Sequence, residues 1–419
     1  MIEQRTNFEK DIALGQPMSR WLQSVSIILA ATAIIASAFH FWPFDDSKIW
    51  QMFNLSNLSV LIWILLLAAL FLLKQNPVRI ISLSPDLSVL AYLSINILSM
   101  AFASNLERTA NYNIKLALIL VGGYMLFSSA ISNEKSLKRI YYLTTAAVIL
   151  SLSCCLAAKL GFSSDKFGFH GNAYKYGTYI GTLAPLCGAY LFTSSKSWKI
   201  LLGTLLVTGA FVSSSSLGAL AAISAGMLPA IIFIKKWSVR LFILSSIVLG
   251  IGLLLLDLNP ASSVLDDAKL SEKDGKNLRQ RYIEWQAEIN LLENRTITGT
   301  AAGCINDYRS NFYYRLPKLN TLKAFDQNGW LATAAETGIL GLVCFCWIVV
   351  HYGKLAFIQV LKPGKKQPSP ADRFAKANLA GFAAVCIANS FSSVHYNGIL
   401  IVFVLIIALV SKTSHLYGD

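Results

Sequence analysis

The chain has 419 residues, 55% of them hydrophobic and 14% charged, with a formal net charge of +14. A soluble domain averages about 25% charged residues, and the surface buried on folding levels off near 75% even in large domains, so this composition excludes a soluble enzyme and a disordered chain. The positive balance reads as the basic cytoplasmic loops of a polytopic membrane protein; no nucleic-acid partner is expected.

A helix crosses a bilayer in roughly 20 apolar residues. In chain order the sequence predicts spans near 22–42, 56–73, 84–104, 111–132, 139–160, 174–193, 198–213, 217–234, 238–258, 331–352, 374–393 and 395–411. The expected fold is therefore all-α, with about twelve transmembrane helices and one large outer loop containing short amphipathic helices. Its segments are a cytoplasmic N-terminal stretch at 1–21, spans one to nine at 22–258, the loop at 259–330, spans ten to twelve at 331–411 and a cytoplasmic tail at 412–419. The first span is long and lacks a small-residue cleavage site, so it is expected to be retained.

Orientation follows from lysine and arginine in the short loops. With the N-terminus inside, the inner loops hold Lys74 and Arg79, then Lys135, Lys138 and Arg139, then Lys196 and Lys199, then Lys235, Lys236 and Arg240, and after span ten Lys354 through Lys376. Lys48, Arg108 and Lys166 fall outside, partly balanced by Asp45, Asp46, Glu107 and Asp165.

Residues 259–330 stand apart, because long connections are uncommon and usually functional. Ten cations there are matched by nine acids, so the loop is close to neutral. Within it, 278–294 (LRQRYIEWQAEINLLEN) has the spacing of an amphipathic helix, with Leu278, Tyr282, Trp285, Ile289 and Leu292 on one face. Arg279, Arg281, Glu284 and Glu288 lie off that face. Such a helix can rest on the membrane surface, with Arg281 and Glu284 an ordinary i,i+3 pair. Alternatively, Arg281 can grip a phosphate bidentately.

GTAAG at 299–303 follows, its glycines Gly299 and Gly303 permitting a tight turn with backbone close to a ligand. YRSNFYYRLPK at 308–318 mixes aromatic and basic residues, as segments at headgroup level do. QNGWLATAAETGILG at 327–341 leads into span ten and buries Glu336 in an apolar run. An intramembrane carboxylate is a functional candidate, and bracing of nearby backbone is the alternative.

The seven cysteines form no CxxC pair or Cys/His cluster, so neither a metal site nor a disulfide is expected; only Cys304 sits in the outer loop. Of the histidines, His170 alone lies in a short outer loop.

Several of these strings resemble the O-antigen ligase and polymerase superfamily of bacterial membrane glycosyltransferases. QNGWLATAAETGILGL is similar to that family's HNxxLxxxxExGxxGL stretch, with Asn328, Leu331, Glu336, Gly338 and Gly341 fitting. Arg281 and Trp285 resemble its arginine-x3-tryptophan element, and Gly299 to Gly303 its following turn. FGFHGNAYKYGTYIGTLAPL at 167–186, with Asn172, looks like its glycine–asparagine loop, and FVSSSSLGALAAIS at 211–224 looks like its serine-rich span entry. Two positions depart. Gln327 stands where the ligases carry a histidine held to activate the acceptor, and Leu217 where an arginine is usual.

The resemblance implies transfer of a glycan from undecaprenyl pyrophosphate to an acceptor on the periplasmic face of the inner membrane, with both chain termini cytoplasmic. The acceptor would be lipid A-core for a ligase and a second lipid-linked glycan for a polymerase. No cofactor or metal is implied, because the lipid pyrophosphate is already a leaving group. Cations must neutralise it: Arg281 first, then Arg279, Arg309, Arg315, Lys175 and Arg108. A base must take the acceptor proton. Gln327 cannot, which leaves Asp326, His170 and Glu336. A lipid-linked sugar transporter and a non-catalytic assembly partner are the readings from other classes. The first would show internal repeats, and none is evident.

Overall fold

The computed structural model describes residues 20–38, 55–72, 85–158, 173–194, 196–214, 217–234, 278–308, 328–361, 369–391 and 399–417, with scattered positions between 237 and 248. Among these residues the chain is helical and contains no strand. The ninth expected span, at 238–258, lies largely outside them.

The helices fall where apolar runs put them. They are α1 (Arg20–Ala38), α2 (Leu55–Leu72), α3 (Leu87–Leu98), α4 (Leu106–Ala130), α5 (Glu134–Ala157), α6 (Ala173–Phe192), α7 (Ser197–Ser213) and α8 (Leu217–Phe233). After α9 (Leu278–Asn294), the helix of the long loop, come α10 (Gly329–Leu361), α11 (Pro370–Phe391) and α12 (Leu400–Tyr417). By length and composition α4, α5, α10, α11 and α12 are long and apolar enough to cross a membrane, and four shorter apolar helices match α1, α7, α8 and α3 with its 3-10 extension to Phe102.

Two helix starts come from local chemistry. The Asn105 side chain accepts from the Arg108 N–H and begins α4 in its polar first turn, ahead of the apolar run. Asn133 and Ser136 form a reciprocal capping box at α5.

The outside of the bundle is aliphatic. Leu65, Leu98, Ile114, Leu205 and Val350 are each 60% or more exposed to the surroundings of the protein. In water such a surface would aggregate; in a bilayer it is solvated by lipid tails. The interior therefore gains nothing from a hydrophobic effect against lipid and depends on close packing and internal hydrogen bonds.

Both are present. α12 runs through the centre, buried continuously from Ile399 to Val410. A π-helical turn at Leu118–Gly123 within α4 brings Gly122 against Val60 and Ile64 of α2, and Gly123 against Ile401 and Val404 of α12. α6, α8 and α11 pack through small residues: Gly226 faces Pro185 of α6 and Ala380 and Ala384 of α11, and Gly181 abuts the Ala219 backbone. Buried polar groups pair across helices. The Tyr141 hydroxyl donates to Asn378 Oδ1 at 2.6 Å, and Asn378 Nδ2 donates to Thr413 Oγ1 at 3.0 Å. The Tyr124 hydroxyl donates to Ser411 at 2.8 Å.

α3 and α10 are tied at opposite ends. At one end the Tyr352 hydroxyl donates to Asp86 Oδ2 at 2.6 Å, with His351 Nε2 3.4 Å from the same oxygen. The other end is where the segment after α9 docks.

Candidate functional site

The start of α10 is fixed first. Asn328 Oδ1 accepts from the N–H groups of Trp330 and Leu331 at 3.0 and 3.2 Å, so this motif asparagine is the helix cap. Trp330 Nε1 donates to Ser390 Oγ of α11 at 3.1 Å. Gly329 lies so close to Asn389 that a Cβ would fall 1.9 Å from its Oδ1. The fixed cap directly follows Asp326 and Gln327 in the chain, both of which lie outside the described residues.

Two turns into α10 the helix breaks. Gly338 has φ 69° and ψ −173°, a region only glycine enters freely. In an unbroken helix the Ile339 N–H would donate to the Ala335 carbonyl. Instead Ile339 donates to the Thr296 carbonyl at 2.8 Å, and the Ala335 carbonyl accepts from the Thr300 N–H at 3.0 Å. The 296–300 segment thus takes up the two groups that the break releases, which satisfies buried backbone that nothing else would cover.

The glycines of GTAAG are what let it approach. Gly299 has φ +62°, and a Cβ there would sit 2.3 Å from the Glu336 carbonyl oxygen. Gly303 has φ +80° and rests against the Tyr112 ring, 3.3 Å from Cβ to Cβ if a side chain were present. Ala301 also has positive φ, 74°. The sequence reading placed this backbone near a ligand; the structure places it against the backbone of α10.

Glu336 is 3% exposed, and its Oε1 accepts from the Gly303 N–H at 3.1 Å. Further along, the segment meets the ends of α3 and α4. The Ala302 N–H donates to Ser99 Oγ at 3.3 Å, and Cys304 Sγ lies 3.1 Å from Thr109 Oγ1. Arg108 pairs with Asp307, whose other oxygen accepts from Ser104 at 2.8 Å. Arg108, a lesser phosphate candidate, is thereby occupied in docking the loop. The Arg295 guanidinium stacks 4.5 Å over the Tyr308 ring and joins the two ends of the segment.

α9 packs on this platform. Ala287 and Leu291 of α9, Ile305 and Ala335 form a small buried cluster flanked by Tyr308. The predicted helix is present from Leu278 to Asn294. Ala287, Glu288 and Leu291 turn toward the protein, while Ile289, on the predicted apolar face, is 37% exposed. Glu288, read as lying off that face, is 1% exposed. Trp285 is partly covered, and its indole N–H has no hydrogen-bond acceptor among the described residues.

Arg279 and Arg281 belong to the first turn of α9, and Lys175 to the first turn of α6; the placement of these three side chains lies outside the described residues, as do His170, Asn172, Arg309, Arg315, Asp326 and Gln327. Among the described residues no cluster of histidine, cysteine and carboxylate side chains has the grouping of a metal site. The docking contacts of Cys304, Ser99, Thr109 and Asp307 escaped the sequence reading. Their partners lie about two hundred residues away, and no periodicity carries that information.

The chain has no match among curated proteins. Residues 202–346 match the family described as O-antigen ligase. The matched stretch takes in α7, α8, α9, the docked glycine segment, the Asn328 cap and Glu336, and stops short of His170, Asn172 and Lys175. Over those residues the chain is similar to that family, and its long apolar helices are those of a membrane protein.

Proposed function

We propose that the protein is a glycosyltransferase that moves a glycan from undecaprenyl pyrophosphate to an acceptor hydroxyl at the periplasmic face of the bacterial inner membrane. The observation that carries the reading is the family match over 202–346, the stretch in which α9 is seated on the broken start of α10. In this reading the chain crosses the membrane twelve times with both termini cytoplasmic, and residues 259–330 form the periplasmic donor site.

The reaction needs little beyond positioned charge. The acceptor oxygen attacks the anomeric carbon, the bond from that carbon to the phosphate oxygen breaks, and the polyprenyl pyrophosphate departs with the electron pair. Arg281 neutralises the departing phosphates, with Arg279, Arg309, Arg315 and Lys175 as further cations. Asp326 or His170 takes the acceptor proton; Asp326 lies two residues before the Asn328 cap in the sequence. Seated on α10, α9 has a fixed place relative to that cap, which is how a scaffold lowers the cost of orienting two substrates.

Lipid A-core is the proposed acceptor of a ligase. Gln327, in place of the ligase histidine, favours as second reading a polymerase, whose acceptor is another lipid-linked glycan. Electrophoresis of surface glycans from the source strain with the gene deleted separates them. Loss of the whole ladder on lipid A-core, with polymer retained on the carrier lipid, is the ligase outcome. Core bearing a single repeat is the polymerase outcome. An unchanged ladder rejects both assignments for this glycan.

A further inference from the structure

We infer that Glu336 is a positioning residue: its carboxylate holds the 295–304 segment, and through it α9, on the break in α10, and exchanges no proton with substrate. The consequence for transfer rests on the glycosyltransferase reading above; the geometry does not.

The position of Glu336 is set by two features. It lies at the last turn of helix before Gly338, beside the released Ala335 carbonyl and two residues ahead of the break. Its own carbonyl is pressed against Gly299, and its side chain reaches the other end of the same turn at Gly303. Backbone and side chain of one residue therefore hold both glycines of GTAAG. A group acting as base must come within about 2.6–3.2 Å of the proton it removes. Glu336 is 3% exposed with one oxygen on a backbone N–H, and the docked segment lies over it.

The segment it holds is the floor under α9. Ile305 follows the Gly303 turn directly and shares a buried cluster with Ala287, Leu291 and Ala335. Releasing Gly303 frees Ile305, and with it the contact that seats the helix carrying Arg281. A single hydrogen bond to a charged acceptor is worth enough to shift that docking about tenfold or more.

Cys304 supplies a readout independent of activity. Next to Gly303, it is fully buried against Thr109, so the undocked segment presents its thiol to the outer solution. The other cysteines all lie in α5, α6, α10 and α11, where a charged reagent does not partition. The test uses the full-length protein in its native membrane, a membrane-impermeant charged maleimide, and peptide mass spectrometry to score Cys304.

The informative pair is Glu336→Gln and Glu336→Asp. Glutamine keeps the length and an acceptor oxygen and loses the charge; aspartate keeps the charge and loses the reach. The expected result is that Glu336→Gln leaves Cys304 shielded and transfer near wild type, while Glu336→Asp labels about tenfold faster or more and loses transfer in proportion. A shielded but inactive Glu336→Gln overturns the inference, because it makes the charge itself part of the chemistry. Unchanged labelling in Glu336→Asp overturns it as well, because the carboxylate then holds nothing. If labelling follows the expected order while wild-type protein supports no transfer, the clamp stands and the glycosyltransferase reading fails.

Discussion

The backbone N–H of Ile339 donates to the carbonyl of Thr296, 2.8 Å away and on a separate segment of chain. With the reciprocal bond from Thr300 to Ala335 at 3.0 Å, it splices the 296–300 segment into the hydrogen-bond ladder of α10. The glycines at the splice are accordingly intolerant. Gly338→Ala puts a side chain into a glycine-only backbone region, at a cost of about 1–3 kcal/mol, and drives its Cβ to 2.0 Å from the Ile297 carbonyl. Gly299→Ala meets the Glu336 carbonyl at 2.3 Å. Both variants are expected to lower the thermal midpoint of the detergent-solubilised protein by several degrees and to speed Cys304 labelling; an unshifted midpoint in both refutes the splice.

Arg281→Lys keeps the charge and removes the planar fork that matches a phosphate. Transfer is expected to fall about tenfold or more, the scale of one lost charge-assisted hydrogen bond, with membrane abundance unchanged. Wild-type transfer in this variant, measured by the glycan ladder, removes Arg281 from the phosphate-binding role.

The Arg108–Asp307 pair calls for a different magnitude. Its side chains are 48% and 28% exposed, so the attraction is screened by water and salt, and exposed pairs contribute about 0–1 kcal/mol. A double-mutant cycle with Arg108→Gln and Asp307→Asn is expected to give a coupling below about 1 kcal/mol, shrinking as salt rises. A larger, salt-independent coupling means that this pair, and not the backbone splice, anchors the loop.

Two glycines in the helical bundle give a paired control. Gly226 has Pro185 Cβ 2.6 Å and Ala384 Cβ 2.8 Å from its would-be side chain, whereas Gly209 has only Leu152 at 3.6 Å. Gly209→Ala is expected to be neutral or to stabilise α7 by up to about 1 kcal/mol, the helix-propensity gain. Gly226→Ala forces α6, α8 and α11 apart and is expected to lower yield and thermal midpoint. Equal behaviour of the two contradicts the packing of those helices.

Hydropathy located the helices but not their ends. It placed α4 from residue 111, yet the helix begins at Leu106 because Asn105 caps a polar turn. It ended span ten at 352, yet α10 continues to Leu361, through Lys354 and a further apolar run at 355–361. Conversely, the span expected at 84–104 changes to a 3-10 turn at Ser99, where Ser99 Oγ takes up the Ala302 N–H. The helix at 278–294 was legible to its ends, but the burial of Glu288 was not, because its partners lie in other segments of the chain. Gly299, Gly303 and Glu336 were each legible as unusual residues. That they engage one another was not, because the pairing joins segments about thirty residues apart, mostly through backbone atoms that every residue possesses.

The splice at Gly338 also fixes a length. Thr296 and Thr300 must present a carbonyl and an N–H to α10 at positions four residues apart, matching Ala335 and Ile339. A residue inserted or deleted between them leaves one of those α10 groups buried without its partner. The loop's spacing at this point is thus dictated by the rise of a helix elsewhere in the chain, and the short run from 296 to 300 has no freedom to change length.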